Sequence, residues 1–122
     1  MRILIDTHIL LWYVEGNVKL KQNWRDILQD SHNYKVVSIV SLWEIAIKTN
    51  INKLSIEYPL DKLVPLEFQI LDIDMLHLLT YQKLPNHHKD PFDRLLIAQA
   101  QIEDLEIMTL DQNFPLYDIK LV

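Results

Sequence analysis

What this 122-residue chain lacks narrows its chemistry before any motif is read. It has no cysteine, which excludes disulfides and thiolate metal sites and fits the cytoplasm. Its one glycine is Gly16, so a glycine-rich loop that cradles phosphate is excluded. A basic run is also missing: 12 Lys and Arg against 17 Asp and Glu leave a formal charge of −5, whereas proteins that hold nucleic acid by charge alone are basic. No uncharged apolar stretch approaches the ~18 residues of a membrane span. The opening "MRILIDTHILLWYVEG" starts like a signal peptide, but Asp6 and His8 interrupt its apolar run. No small-residue cleavage site follows, so a soluble, mature start is expected.

What is present is a globular composition, 49% hydrophobic with mixed charge, long enough for one core and read as one domain over residues 1–122. "RILI" at 2–5 suits a buried strand and "THILLWYV" at 7–14 a short apolar helix. Leu20, Trp24, Ile27 and Leu28 fall at helical spacing. "YKVVS" at 34–38 reads as a second strand, with the helix "SLWEIAIKTNI" behind it. A short helix is expected after Pro59, a third strand in "FQILDI" and a helix in "DMLHLLTYQKL", ended by Pro85. After the polar loop "PNHHKDP" comes the clearest helix, "DPFDRLLIAQAQIEDL", with Asp90 as N-cap and Pro91 in its first position. "EIMTL" and "IKLV" supply two last strands. Strands alternating with helices imply an α/β fold around a mostly parallel sheet of about five strands, helices on both faces.

In such a sheet the binding crevice lies beyond the carboxyl ends of the strands, at the switch point. Asp6 ends the first strand, Glu44 opens the helix after the second, Asp93 lies in the first turn after the polar loop, and Asp111 follows the strand "EIMT". Each acid has a plain structural reading. Asp6 would cap a helix, Glu44 would complete a Ser41-x-x-Glu44 capping box, Asp93 would favour a helix start, and Asp111 would make a turn. Together they weaken that reading, because clustered acids repel and raise one another's pKa values. A cation removes that cost, and carboxylates without thiolates suit Mg²⁺ or Mn²⁺ better than zinc. Without these four acids the chain would carry a charge of only −1. Acidity therefore does not exclude nucleic acid as a partner.

The segments "LIDTHILLW", "SLWEIAIK", "HHKDPFDRLLIAQA" and "TLDQNFPLY" together resemble PIN-domain ribonucleases, above all VapC-type toxins of toxin–antitoxin pairs. "DPFDRLLIAQA" is the most specific of them. The resemblance implies a PIN-like three-layer sandwich and a metal-dependent endoribonuclease using Mg²⁺ or Mn²⁺. Its acidic site falls on Asp6, Glu44, Asp93 and Asp111, with Asp90 a nearby competitor for the place of Asp93. Asp6 and Asp93 are the expected direct ligands. The resemblance also implies an RNA substrate, a cognate antitoxin and a homodimer built on apolar helices. One departure is Asn52, where the subfamily often has Gly; Asn also tolerates a left-handed turn.

Smaller expectations attach to neighbouring residues. Thr7 would touch phosphate or start a helix, Lys48 would pair with Glu44 along the helix, and Arg94 would reach phosphate or lie on a solvated face. His87 and His88 are read mainly as an exposed pair, and the three tryptophans as core or interface. The competing reading is a non-catalytic PIN-like module whose acidic crevice receives a basic protein segment. A haloacid-type phosphatase would want a second Asp where His8 stands in "DTH", and a receiver domain would want paired N-terminal acids and a late Lys; neither is evident.

Overall fold

The computed structural model describes residues 1–122. The elements follow in the order β1 (Arg2–Ile5), α1 (Thr7–Glu15), α2 (Gln22–Gln29), β2 (Tyr34–Ser38), α3 (Ile39–Asn50), β3 (Gln69–Leu71), α4 (Met75–Gln82), α5 (Pro91–Glu103), β4 (Glu106–Met108) and β5 (Lys120–Leu121). Single 3₁₀ turns lie at Leu60–Lys62, just after Pro59, and at Phe114–Leu116. All five strands are parallel, in the order β3-β2-β1-β4-β5. The chain therefore moves outward from β1 to β3, then returns to place β4 on the other side of β1. The switch point lies between β1 and β4.

Alternation along the strands builds two cores, one on each face of the sheet. Ile3, Ile5, Val37 and Met108 pack with Ile9, Leu10 and Leu28 beneath α1 and α2 and with Leu42 and Ile45 of α3. Leu4, Val36 and Ile107 turn the other way, onto Leu96, Ile97 and Ala100 of α5. The result is the expected three-layer sandwich. The apolar residues of α1 are largely spent here, since Ile9, Leu10 and Leu11 are buried.

Local chemistry sets the helix ends. Asp90 caps α5 by accepting the N–H groups of Phe92 (2.9 Å) and Asp93 (3.1 Å), with Pro91 next. Asp74 caps α4, and His77 returns the bond from its ring, completing a capping box. Gly16 closes α1 at φ 66°, where a Cβ would be strained. Asn52 holds φ 58°, the left-handed conformation anticipated at that position.

The expected box at Ser41 and Glu44 is absent. β2 runs directly into α3, so Ser38 is the cap and accepts Val40 N–H at 3.0 Å. Ser41 and Glu44 thus lie inside the helix, both buried.

Candidate functional site

β1 and β4 end side by side, with Asp6 N–H donating to the Met108 carbonyl at 3.1 Å. Asp6 is buried and held at both carboxylate oxygens. One accepts Thr7 N–H at 2.7 Å, capping α1, and the other accepts the Thr109 hydroxyl at 2.8 Å. Thr109 also accepts Asp111 N–H at 3.0 Å, and Asp111 in turn accepts Asn113 N–H at 2.8 Å. The turn reading of Asp111 is thus correct, yet Asp6 and Asp111 also line one cleft of about 200 Å³, with Trp12 and Leu110 on its walls.

Glu44 reaches the same edge from α3. Its Oε1 lies 2.8 Å from the Thr7 hydroxyl, which lies 2.9 Å from that of Ser41. A carboxylate only accepts, so the Thr7 proton goes to Glu44 and its lone pair faces Ser41. Oε2 accepts from Lys48 at 2.8 Å, the pair one helical turn apart that the sequence suggested. Thr7 and Lys48 therefore fix the Glu44 carboxylate from two sides.

Asp93 enters from the first turn of α5. Its carboxyl is pushed up to about 8, first by burial and then by the charges of Asp90, Asp6, Asp111 and Glu44. The Asp6 carboxyl is also raised, mainly by burial, against hydrogen bonds that lower it. Asp93 thus feels the charges of the other three acids, and Asp6 that of Glu44. Asp90 stands close, but one of its oxygens is committed to the helix cap.

The raised Asp93 carboxyl has a signed consequence. An acid that holds its proton more tightly when folded makes the metal-free protein lose stability as pH climbs from 3.8 to about 8. Thermal melts in EDTA should show a lower Tm at pH 8 than at pH 5, and Asp93→Asn should flatten that slope. A wild-type slope no steeper than that of the variant would contradict this origin.

Arg94 takes a place that its neighbours in the sequence do not signal. Arg94 is buried, neither on a solvated face nor free to reach phosphate. It donates to the Pro85 carbonyl at 2.8 Å and the Tyr117 hydroxyl at 3.0 Å, and lies over the Tyr81 ring at 5.1 Å. The histidines divide: His87 is exposed and edge-on to Tyr117, while His88 turns inward to Asp93 at 3.3 Å. Trp12 and Trp24 are half-buried against the core, whereas Trp43 is exposed, edge-on to Phe92. Thr109 and Tyr117 join the site without any expectation attached to them from the sequence. The Thr-x-Asp spacing of "TLD" was a usable signal for the first; the second had none.

Another trio comes closer together. Asp74, His77 and Glu103 offer ligand atoms all within 4.8 Å of one another, closer than any three of the four acids. Both ring nitrogens of His77 are already committed, however: Nδ1 accepts Asp74 N–H at 3.0 Å and Nε2 donates to Glu103 at 3.2 Å. This trio sits at the far end of α5 from Asp93, about 15 Å along a helix rising 1.5 Å per residue. It fastens α4 to α5.

A family model described as "PIN domain" matches residues 3–120. Among solved structures, VapBC2 from Rickettsia felis bound to a promoter DNA fragment superposes with a TM-score of 0.74 at 14% identity, covering 99% of this chain and 96% of that one. DNA-bound VapBC from Salmonella typhimurium gives 0.69 at 11% identity, covering 100% and 97%. FitAcB from Neisseria gonorrhoeae gives 0.64 at 18%, covering 98% and 95%. A search of curated proteins by sequence returned no match.

Proposed function

Because this chain belongs to the PIN-domain family, we propose that it is a metal-dependent endoribonuclease and the VapC-type toxin of a toxin–antitoxin pair. The observation that carries this reading is that Asp6, Glu44, Asp93 and Asp111 stand at the edge of the β1–β4 switch point, where Asp93, raised first by burial, is raised further by the charges of the other three. The donor set fits a hard divalent cation: carboxylate oxygens, no thiolate, and a mutual repulsion that a cation would relieve. Asp6 and Asp93 would hold Mg²⁺ or Mn²⁺ directly, with Glu44 and Asp111 acting through water or orienting the attacking water. When bound, such an ion supplies Lewis acidity toward a phosphodiester and makes a water more acidic.

The protein's part is preorganisation. Thr109 and Thr7 N–H fix the two oxygens of Asp6; Thr7 and Lys48 fix those of Glu44. Carboxylates held this way need little rearrangement when charge develops on the phosphate. Lys48 also offsets one negative charge, so the crevice does not simply repel RNA.

The likeness to VapBC structures supports a partner protein. A cognate antitoxin would suit the apolar groove of about 460 Å³ along Ile39, Leu42, Trp43 and Ala46, with Leu60 and Asp61 at its other wall. A homodimer would use α4, where Met75, Leu76, Leu78 and Leu79 are all exposed. No helix is long and apolar enough to cross a membrane.

The test is incubation of end-labelled single-stranded and structured RNA with the protein in Mg²⁺, Mn²⁺ or EDTA. Discrete cuts that need the metal are expected. A folded protein that binds neither metal nor RNA, but captures a Lys- and Arg-rich peptide, would favour the non-catalytic reading.

A further inference from the structure

His88, Tyr117 and Arg94 form a chain of hydrogen bonds that ends on Asp93. Tyr117 is buried, and its hydroxyl oxygen receives two fixed donors: Arg94 Nη1 at 3.0 Å and His88 backbone N–H at 3.3 Å. Arg94 is always protonated and a backbone amide has no choice of role. Both hydroxyl lone pairs are then engaged, so the Tyr117 proton can go only to His88 Nδ1, 2.7 Å away. That bond sets the tautomer: Nδ1 accepts, and the ring proton sits on Nε2. Nε2 faces Asp93 Oδ2 at 3.3 Å.

We propose that His88, locked in its Nε2–H tautomer by Tyr117, is a positioning residue that holds the Asp93 carboxylate in the orientation needed to bind the divalent cation. The role rests on the metal-site reading of Asp93 given above. It accounts for features the acids alone leave unexplained. A polar loop histidine is only 11% exposed at its side chain, and a buried arginine beside the acids spends its charge on Tyr117 and a carbonyl instead of neutralising a carboxylate. Asp6 and Glu44 are each held by hydroxyl donors; Asp93, lacking one, is held by an imidazole. Hydrogen-bond partners of metal-binding carboxylates usually contribute ~10–100-fold to metal affinity.

The test is Mn²⁺ affinity, read from the loss of the free-ion electron paramagnetic resonance signal on titration, for wild type, His88→Leu, His88→Gln and Tyr117→Phe. Far-UV circular dichroism and melting in EDTA check the fold. His88→Leu should weaken Mn²⁺ binding by ~10–100-fold. Tyr117→Phe, which removes one oxygen and frees the tautomer, should weaken it by a smaller factor. His88→Gln, whose amide nitrogen can take the place of Nε2, should recover most of the loss. Should His88→Leu fail to fold, Tyr117→Phe against His88→Gln carries the comparison. Wild-type affinity in both His88→Leu and Tyr117→Phe overturns the positioning role, as does equal loss in His88→Leu and His88→Gln, which would assign the effect to packing. A wild type that binds no Mn²⁺ overturns the metal-site reading and this role with it.

Discussion

Asp93→Asn is expected to reduce RNA cleavage by at least ~10²–10³-fold, the loss typical of one preorganised electrostatic group, while raising the Tm of the metal-free protein at pH 8. The two effects share one cause. Asp93 is half-buried, and burial first, then the neighbouring acids, push it up to about 8, so its charge costs stability until a cation arrives. Asparagine keeps the shape and still accepts from His88 Nε2–H, but it neither repels its neighbours nor binds the ion well. Melting in EDTA beside a cleavage assay reads both effects. A variant that loses activity because it unfolds, with a lower Tm, would show Asp93 to be a structural acid of the helix start instead.

Arg94→Ala is the second large effect, and it falls on stability. The guanidinium bonds the Pro85 carbonyl and the Tyr117 hydroxyl and covers the Tyr81 ring. Removing it strips partners from buried polar atoms and leaves a hole beneath the 85–90 loop. A loss of about 3 kcal/mol is expected from bonds to a charged donor and lost packing, or roughly 10 °C in Tm for a chain of this size. Were Arg94 instead a phosphate-binding side chain, the substitution would weaken RNA binding and leave Tm nearly unchanged. Differential scanning calorimetry with RNA titration separates the two.

How far such roles could be read in the sequence depended on distance along the chain. α5 was legible because its signals are local: Asp90 caps, Pro91 follows, and the apolar residues behind them repeat at helical spacing. Strand alternation gave the sheet, and the placement of four acids at strand and helix ends gave the edge on which they meet. The Ser41 box does not form because Ser38, three residues earlier, already caps the helix. Ser38 ends β2 and has already turned the chain, so the helix is running when Ser41 is reached.

Arg94 and His88 failed for a different reason. Their partners, Tyr81 and Tyr117, stand 13 and 29 residues away respectively, and nothing near either residue signals which way it turns. The placement of the acids is legible because charge and position at strand ends can be read without knowing their neighbours. The groups that hold them, Thr109 and Tyr117 among them, become visible only once the chain is folded.

The proposed function stands or falls with a divalent cation held among Asp6, Glu44, Asp93 and Asp111. The most direct measurement is anomalous X-ray scattering from crystals of the protein soaked in Mn²⁺. A peak between Asp6 and Asp93 is expected in the wild type, and none there in Asp93→Asn. A peak at Asp74, His77 and Glu103 with nothing at the acidic cleft would contradict it, and so would a soaked crystal with no peak at all.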